Sequence, residues 1–251
     1  MNLSQINQYL RSMELKKDRI DSFEEYPFCV KAVRSIERLD FHPKVTFFVG
    51  ENGSGKSTIL EAIATAYGFN PEGGTINFNF STSDTHSELY ENIKLIKGVK
   101  KPQDGFFLRA ESFYNLATNV EELEKDAPGI FMSYGGKSLH KQSHGESFFS
   151  VFMNRFNGRG LYILDEPEAA LSPARQLSMI ARMHSLLEKN SQFIIATHSP
   201  ILMSYPDSII YEISDSIREV RYDETEHYNI TKAFLNNPSK MLKILIEEND
   251  D

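Results

Sequence analysis

The stretch Gly50-Glu51-Asn52-Gly53-Ser54-Gly55-Lys56-Ser57-Thr58 decides the fold of this chain. Residues 44–49 before it are rich in β-branched and aromatic side chains, which is typical of a buried strand. Apolar residues recur at helical spacing over residues 59–67, so a helix is expected to begin near Lys56. The sequence therefore predicts a strand, a glycine-rich loop and a helix in succession. A glycine-rich hairpin with a chance lysine is the alternative, and the flanking elements disfavour it.

A loop in this context suits the binding of a nucleoside triphosphate. Glycines let the backbone turn tightly and point its N–H groups at phosphate oxygens, and the helix N-terminus adds a partial positive charge. The Lys56 side chain is expected to reach the β- and γ-phosphates, and the Ser57 hydroxyl to bind Mg²⁺. The residues predicted to contact the nucleotide are Gly50, Asn52, Gly53, Ser54, Gly55, Lys56, Ser57 and Thr58.

A second run, Leu161-Tyr162-Ile163-Leu164-Asp165-Glu166-Pro167, places two carboxylates after an apolar segment. Such a segment predicts a strand covered on both faces, as in a parallel sheet. Asp165, at the end of this strand, is predicted to hold Mg²⁺ through the waters of the metal. Glu166 is predicted to orient or deprotonate the attacking water as a general base. A surface Asp-Glu pair is the alternative, and it fits poorly with so apolar a segment.

The two runs together resemble ATPases of the ABC type, and within them the soluble branch with the structural-maintenance-of-chromosomes (SMC) heads, RecF and overcoming-lysogenization-defect ATPases. The resemblance extends from about Val30 to Tyr211. It implies an α/β fold of the P-loop NTPase head type, with a mostly parallel central sheet, an antiparallel β part and a small helical insert. It also implies that the nucleotide is ATP, bound with Mg²⁺ and hydrolysed to ADP and phosphate, with Lys56 among the catalytic residues.

The stretch Ser143-His144-Gly145-Glu146-Ser147 occupies the position of that family's signature, although the family usually has glycine where His144 stands. The resemblance implies a head-to-tail homodimer on ATP binding. In it, Ser143 and the Gly145 N–H would face the γ-phosphate held by the other subunit. The residues themselves predict a capped helix, because Ser143 and Glu146 form a capping-box pattern before an apolar run.

The resemblance assigns two further positions. His198 follows the apolar segment 192–196 and matches the switch histidine, which would contact the γ-phosphate or Glu166; a structural histidine is the alternative. Glu111 stands where the family has a glutamine, and it is assigned to Mg²⁺ or its water shell. Ser172 stands where the family usually has aspartate, and here it is predicted to cap a helix.

On the N-terminal side, Ala32-Val33-Arg34-Ser35-Ile36-Glu37-Arg38-Leu39 resembles the entry strand of the SMC and RecF branch. The resemblance implies that Arg34 approaches the nucleotide, and a surface charge on an edge strand stays open as the alternative. An aromatic residue that could stack on adenine is not clearly positioned, although Tyr26 or Phe28 could serve.

The chain has 251 residues, 40% of them hydrophobic, which is enough for one sizeable core and a single domain over residues 1–251. A helical insert that carries the signature is predicted over about 112–155, and C-terminal helices over about 223–251. The sequence has no sustained heptads, so a head without coiled-coil arms is expected. The remaining predictions are a loop or hairpin over 70–86, a late hairpin over 208–222 and a final helix opened by Asn237-Pro238.

Bulk properties narrow the cellular setting. Cys29 is the only cysteine, which fits a reducing cytoplasm. The sequence has no stretch that approaches the roughly twenty apolar residues needed to span a bilayer, and its first residues lack a signal-peptide core. The formal net charge of −8 disfavours broad wrapping of nucleic acid. Lysine-rich clusters within 94–101 and 137–141 leave an indirect contact with nucleic acid open.

These observations favour a soluble ATPase whose ATP-sandwiched dimer drives or gates a partner protein, such as a nuclease or toxin, in nucleic-acid repair or anti-phage defence. The ATP-binding subunit of a membrane transporter is the alternative, and Glu111, His144 and the Arg34 segment weigh against it. A nucleotide-dependent scaffold without turnover is a third hypothesis, which Glu166 and His198 oppose.

Overall fold

The computed structural model describes residues 8–76 and 87–247, in which two sheets are surrounded by α-helices. The strands are β1 (Leu10–Leu15), β2 (Arg38–Asp40), β3 (Val45–Val49), β4 (Ile93–Lys97), β5 (Asp104–Arg109), β6 (Gly160–Asp165), β7 (Gln192–Ala196), β8 (Ser208–Ile213) and β9 (Ile217–Val220). The α-helices are α1 (Lys31–Ser35), α2 (Lys56–Tyr67), α3 (Phe113–Asp126), α4 (His144–Arg155), α5 (Pro173–Glu188), α6 (Glu226–Asn236) and α7 (Pro238–Glu247). Short 3₁₀ turns lie at Lys17–Arg19, Glu88–Asn92, Ile130–Tyr134, Leu139–Lys141, Pro167–Ala170, Leu202–Ser204 and Tyr222–Glu224.

The central sheet has the strand order β5-β6-β7-β3-β8-β9. Every neighbouring pair in it is parallel except β8 and β9. All residues of β3, β6 and β7 are buried, as expected for strands covered on both faces. The strand β7 therefore separates β3, which leads into the glycine-rich loop, from β6, which ends at Asp165. The predicted α/β fold with a mostly parallel sheet is confirmed.

Successive side chains of the central strands fill two hydrophobic cores. Phe47 packs into the core beneath α3, α4 and α5, and its neighbour Phe48 packs into the core beneath α1 and α2. This alternation is what the pleat of a strand imposes. The small antiparallel sheet, of order β2-β1-β4, covers the second core.

The structure corrects the predicted strand over residues 32–39. Residues 31–35 form the helix α1, and only Arg38–Asp40 is extended. Ala32, Val33 and Ile36 are all buried, and their spacing matches one face of a helix.

Two other predicted elements are confirmed: the late hairpin is β8 and β9, and Pro238 opens α7. Of the loop predicted over 70–86, residues 77–86 lie outside the described part of the chain.

The side chain of Gln192 joins the two sheets. Its Oε1 accepts hydrogen bonds from the backbone N–H groups of Tyr9 (3.0 Å) and Leu10 (2.9 Å). Its Nε2 donates to the carbonyls of Leu10 (2.7 Å) and His42 (3.0 Å). Gln192 is fully buried, so the N–H groups of Tyr9 and Leu10 depend on its Oε1 as their acceptor.

Replacing Gln192 by Leu should lower the free energy of unfolding by about 2–4 kcal/mol, because two buried N–H groups lose their acceptor. Urea unfolding followed by circular dichroism measures this change. Gln103→Leu is the control, since Gln103 is exposed and its Oε1 accepts a hydrogen bond from the exposed Arg159. Equal losses in the two variants would contradict the role given to Gln192.

Candidate functional site

The glycine-rich loop after β3 has a backbone that only glycine accommodates easily. Gly50, Gly53 and Gly55 all have φ between +78° and +150°. A Cβ at Gly50 would lie 2.2 Å from the carbonyl oxygen of Ile213, and one at Gly55 would lie 3.0 Å from Cγ1 of Val30. The loop is thus held tightly against its neighbours, with α2 beginning directly after Gly55.

The ammonium group of Lys56 folds back over this loop. Its Nζ donates to the carbonyls of Gly50 (2.9 Å) and Glu51 (3.0 Å), and the residue is only 3% exposed. Burial lowers the pKa of Lys56, while the nearby carboxylates of Glu166 and Asp165 oppose that shift. A cation is therefore fixed at the point where the loop meets the carboxyl ends of β3 and β6.

Asp165 lies beside Ser57 at the end of β6. The Ser57 hydroxyl donates to Oδ1 of Asp165 over 3.0 Å. Burial raises the pKa of Asp165 from 3.8 to about 6, against the opposing effects of Arg109 and the Ser57 hydrogen bond. Burial thus leaves the charged carboxylate of Asp165 poorly solvated, and a bound cation would stabilise its charge.

Arg109, at the end of β5, is a functional candidate that the sequence did not single out. Its Nε lies 3.6 Å from Asp165, and its Nη1 donates to Glu61 over 2.7 Å. Its Nη2 lies 3.4 Å from Oε2 of Glu111. Arg109 pairs in register with Asp165 across β5 and β6, a relation that the sequence alone does not show. It orients the predicted metal-binding carboxylates.

The side chains of Glu166 and His198 are in contact. The switch histidine was expected to contact either the γ-phosphate or Glu166, and the structure shows the contact with Glu166. Glu166 has left-handed backbone angles (φ 49°, ψ 53°) and hydrogen-bonds His198 Nε2 through Oε1 at 3.1 Å. The other ring nitrogen of His198, Nδ1, lies 3.1 Å from Nε2 of His227 on α6. Burial and the nearby Lys56 lower the pKa of His198. His227 was not predicted, and no local pattern marks it.

Glu168 is a third residue that the sequence did not single out. Its Oε1 accepts a hydrogen bond of 2.5 Å from the backbone N–H of His198. Burial raises the pKa of the Glu168 carboxyl, although that hydrogen bond opposes the shift. Glu168 therefore fixes the backbone at the end of β7.

Part of the glycine-rich loop, together with Lys56, Ser57 and Glu166, lines one cavity of about 440 Å³. Its lining residues are Tyr26, Val30, Asn52, Gly53, Gly55, Lys56, Ser57, Thr58, Glu111 and Glu166. Asp165 and His198 are not in its lining, but each hydrogen-bonds a residue that is, Ser57 and Glu166 respectively. The structure separates the two aromatic candidates. Tyr26 is 63% exposed and hydrogen-bonds Thr58 through its hydroxyl (3.0 Å), whereas Phe28 is 7% exposed and belongs to the core.

Arg34 is not among the residues that line this cavity. Its guanidinium donates to the carbonyl of Phe23, lies over the Phe23 ring and sits 3.7 Å from Glu24. The geometry therefore favours the alternative of a surface charge, although on a helix and not on an edge strand.

Ser143 and Gly145 also lie outside the cavity lining. Ser143 caps α4, and Glu146 completes the capping box with a 3.1 Å bond from the Ser143 N–H. The predicted cap is therefore confirmed. Ser143 is exposed, so the surface at the helix N-terminus is accessible. Ser172 caps α5 as predicted, with its hydroxyl accepting from the Arg175 N–H at 3.4 Å.

A larger cavity, of about 810 Å³, opens at the opposite edge of the sheet between Asp104 and Lys189. It contains cations such as Arg155 and Arg159, but its Asp104 already pairs with Arg155 over 3.0 Å. It has neither a glycine-rich loop followed by a helix nor adjacent carboxylates at strand ends. The smaller cavity is therefore the candidate site.

Comparison with known proteins identifies related sequences over most of the chain. A family model described as "AAA domain" matches residues 5–150, and a second, "AAA domain, putative AbiEii toxin, Type IV TA system", matches residues 147–204. The galactofuranose transporter ATP-binding protein of Escherichia coli is 25% identical over 210 residues, which are 75% of this chain and 40% of that protein. This chain thus spans less than half of that relative.

Two further similarities are more limited. The DNA replication and repair protein RecF of Colwellia psychrerythraea is 37% identical over 83 residues, or 33% of this chain and 19% of RecF. The SMC head domain of Thermotoga maritima superposes with a TM-score of 0.43 at 17% identity, covering 85% of this chain and all of that domain.

Across the described residues, none of the helices combines the length and apolar character required to traverse a membrane.

Asp165→Asn should stabilise the nucleotide-free protein by about 2 kcal/mol at pH 7.5 and by less near pH 4.5. Because the folded-state pKa of Asp165 is raised, the wild type loses stability as pH rises through about 6, and an amide does not. Urea unfolding at both pH values in metal-free buffer measures the difference. Glu188→Gln is the control, since its side chain is 71% exposed and lies outside the smaller cavity. A pH-independent gain for Asp165→Asn would contradict the argument.

Proposed function

The chain belongs to the AAA-domain family of P-loop ATPases of the ABC type, and on that premise we propose that it binds ATP with Mg²⁺ and hydrolyses it. The observation that carries the proposal is the convergence of Lys56, Ser57 and Glu166 at one cavity, with Asp165 hydrogen-bonded to Ser57 beside it. A triphosphate needs a cation, a metal site and a positioned base close together, and these residues supply all three.

The donor set suits Mg²⁺. Ser57 and Asp165 present hard oxygen ligands 3.0 Å apart, and Glu111 lines the same cavity. Among the described residues, no group of three or more acidic, histidine or cysteine side chains would hold a metal alone. This fits a metal that keeps waters and takes further ligands from phosphate. When bound, Mg²⁺ would neutralise charge on the β- and γ-phosphates.

Each residue then has a distinct role in hydrolysis. The loop N–H groups and Lys56 hold the phosphates, and the Lys56 ammonium exchanges its contacts with Gly50 and Glu51 for phosphate oxygens. Glu166 accepts the proton of the attacking water. His198 holds the Glu166 carboxylate from one side. Tyr26, exposed at the cavity rim, is available to pack against the base.

The second half of the site would come from another copy of the chain. The capped N-terminus of α4, with Ser143 and the Gly145 N–H, is not used by the cavity of its own subunit. The Gly145 N–H, together with the Ser143 hydroxyl once it exchanges its 2.6 Å bond to Glu146 for a phosphate oxygen, would suit a γ-phosphate presented by a head-to-tail partner. ATP would thereby close a sandwich dimer, and hydrolysis would open it.

In the cell, we propose that this cycle gates a partner protein in nucleic-acid repair or anti-phage defence, within the cytoplasm. The match to a family model described by a putative toxin system and the similarity to RecF support this direction, with a nuclease or toxin as the effector. The similarity to a galactofuranose transporter protein supports a second candidate, the ATP-binding subunit of a membrane transporter. Co-purification with a membrane permease would favour the second over the first.

Glu166→Gln should lower kcat for ATP hydrolysis by at least about 100-fold, because the amide cannot take up the proton of water. Its affinity for Mg²⁺-ATP should stay within about twofold of wild type. Phosphate release and calorimetric titration measure the two quantities. Glu188→Gln, at an exposed carboxylate on α5, is the control. A fully active Glu166→Gln protein would place the base elsewhere.

Ser143→Arg in the Glu166→Gln background should abolish the ATP-dependent dimer, because a bulky cation would stand where the partner's phosphate docks. Light scattering with and without Mg²⁺-ATP measures the mass. Ser143→Asn is the matched control, since asparagine also caps helices and adds no charge. Dimers that form equally in both variants would refute the assigned interface.

A further inference from the structure

We propose that His227, on α6, is a positioning residue that holds the imidazole of His198 in the orientation and tautomer required to support Glu166. The inference rests on the proposed function, since it concerns the same hydrolytic site. Three groups lie in series: Glu166 Oε1 is 3.1 Å from His198 Nε2, and His198 Nδ1 is 3.1 Å from His227 Nε2. The two histidine rings lie 5.2 Å apart between centroids.

The direction of these hydrogen bonds follows from the chemistry. A general base must be an ionised carboxylate, which can only accept hydrogen bonds. His198 therefore has to carry its proton on Nε2 and donate it to Glu166. A neutral imidazole with Nε2–H has a bare Nδ1, so the partner at Nδ1 must be the donor. His227 Nε2–H is the group in that place, and it selects the tautomer of His198.

His198 is restrained both at its backbone and at its ring. Glu168 accepts the hydrogen bond from the His198 backbone N–H at 2.5 Å and so fixes where the side chain starts. This backbone contact does not restrain the ring, whose orientation is set by Glu166 at Nε2 and by His227 at Nδ1. The lowered pKa of His198, caused by burial and by Lys56, agrees with a neutral imidazole.

The hydrogen bond between His198 and His227 also connects α6 to the site. The helix α6 has no buried residue, and it begins after the buried Thr225. Near its start, the Glu226 N–H donates to Glu212 over 3.0 Å, and the Tyr228 ring packs at a tilt against Tyr222, 4.6 Å between centroids. His227 is thus the residue through which the placement of an otherwise exposed helix reaches the catalytic carboxylate.

The test compares His227→Gln with His227→Met, two side chains of similar length that differ in having or lacking an N–H donor. The Met variant should lower kcat by about 10-fold or more, with the affinity for Mg²⁺-ATP within about twofold of wild type. The Gln variant should restore kcat to within about threefold of wild type. Thermal unfolding midpoints of the two variants report whether α6 stays folded. His184→Met is the control, since His184 hydrogen-bonds Tyr205 at 2.9 Å outside the cavity.

A spectroscopic readout separates tautomer selection from packing. Long-range ¹H–¹⁵N spectra of nucleotide-free protein should show His198 as the Nε2–H tautomer in wild type and His227→Gln, and as a mixture in His227→Met. Equal kcat values for the Met and Gln variants, or an unchanged His198 tautomer, would overturn the inference. The proposed function would still hold in that case if Glu166→Gln had lost hydrolysis. Full activity of Glu166→Gln would overturn the proposed function itself.

Discussion

The parallel alignment of β6, β7 and β3 is the constraint on which the site depends. Parallel strands bring their carboxyl ends to the same edge of a sheet, where ligands of open α/β folds bind. Because β7 lies between the other two strands, His198 emerges between the glycine-rich loop and the Asp165-Glu166 pair. Full burial of the three strands fixes their register, so the positions of the site residues follow from the packing of the core.

The electrostatic balance of the cavity follows from that placement. Burial disfavours the charged forms of Asp165 and Glu168 as well as that of Lys56. Arg109 compensates part of the carboxylate charge by pairing with Asp165 and Glu61. A site that holds under-solvated charges of both signs is prepared for a ligand that carries its own cation and anion together, as Mg²⁺-ATP does.

The sequence predicted those parts of the site that local pattern encodes. The loop from Gly50 to Thr58 and the strand that ends at Asp165 each have a signature within about ten residues. The strand predicted at Arg34 was wrong because it rested on a resemblance, whereas the buried residues Ala32, Val33 and Ile36 have the spacing of one helix face. Arg109 and His227 were missed because their roles arise from pairings across 56 and 29 positions, which no local pattern records.

The most direct measurement is a crystal structure of the protein with Mg²⁺ and a non-hydrolysable ATP analogue. We expect the triphosphate in the loop of residues 50–58, with the metal bound to the Ser57 hydroxyl and next to Asp165. We also expect Ser143 of a second copy at the γ-phosphate. A triphosphate bound instead in the cavity beside Arg155 and Arg159, at the opposite edge of the sheet, would contradict the proposed site.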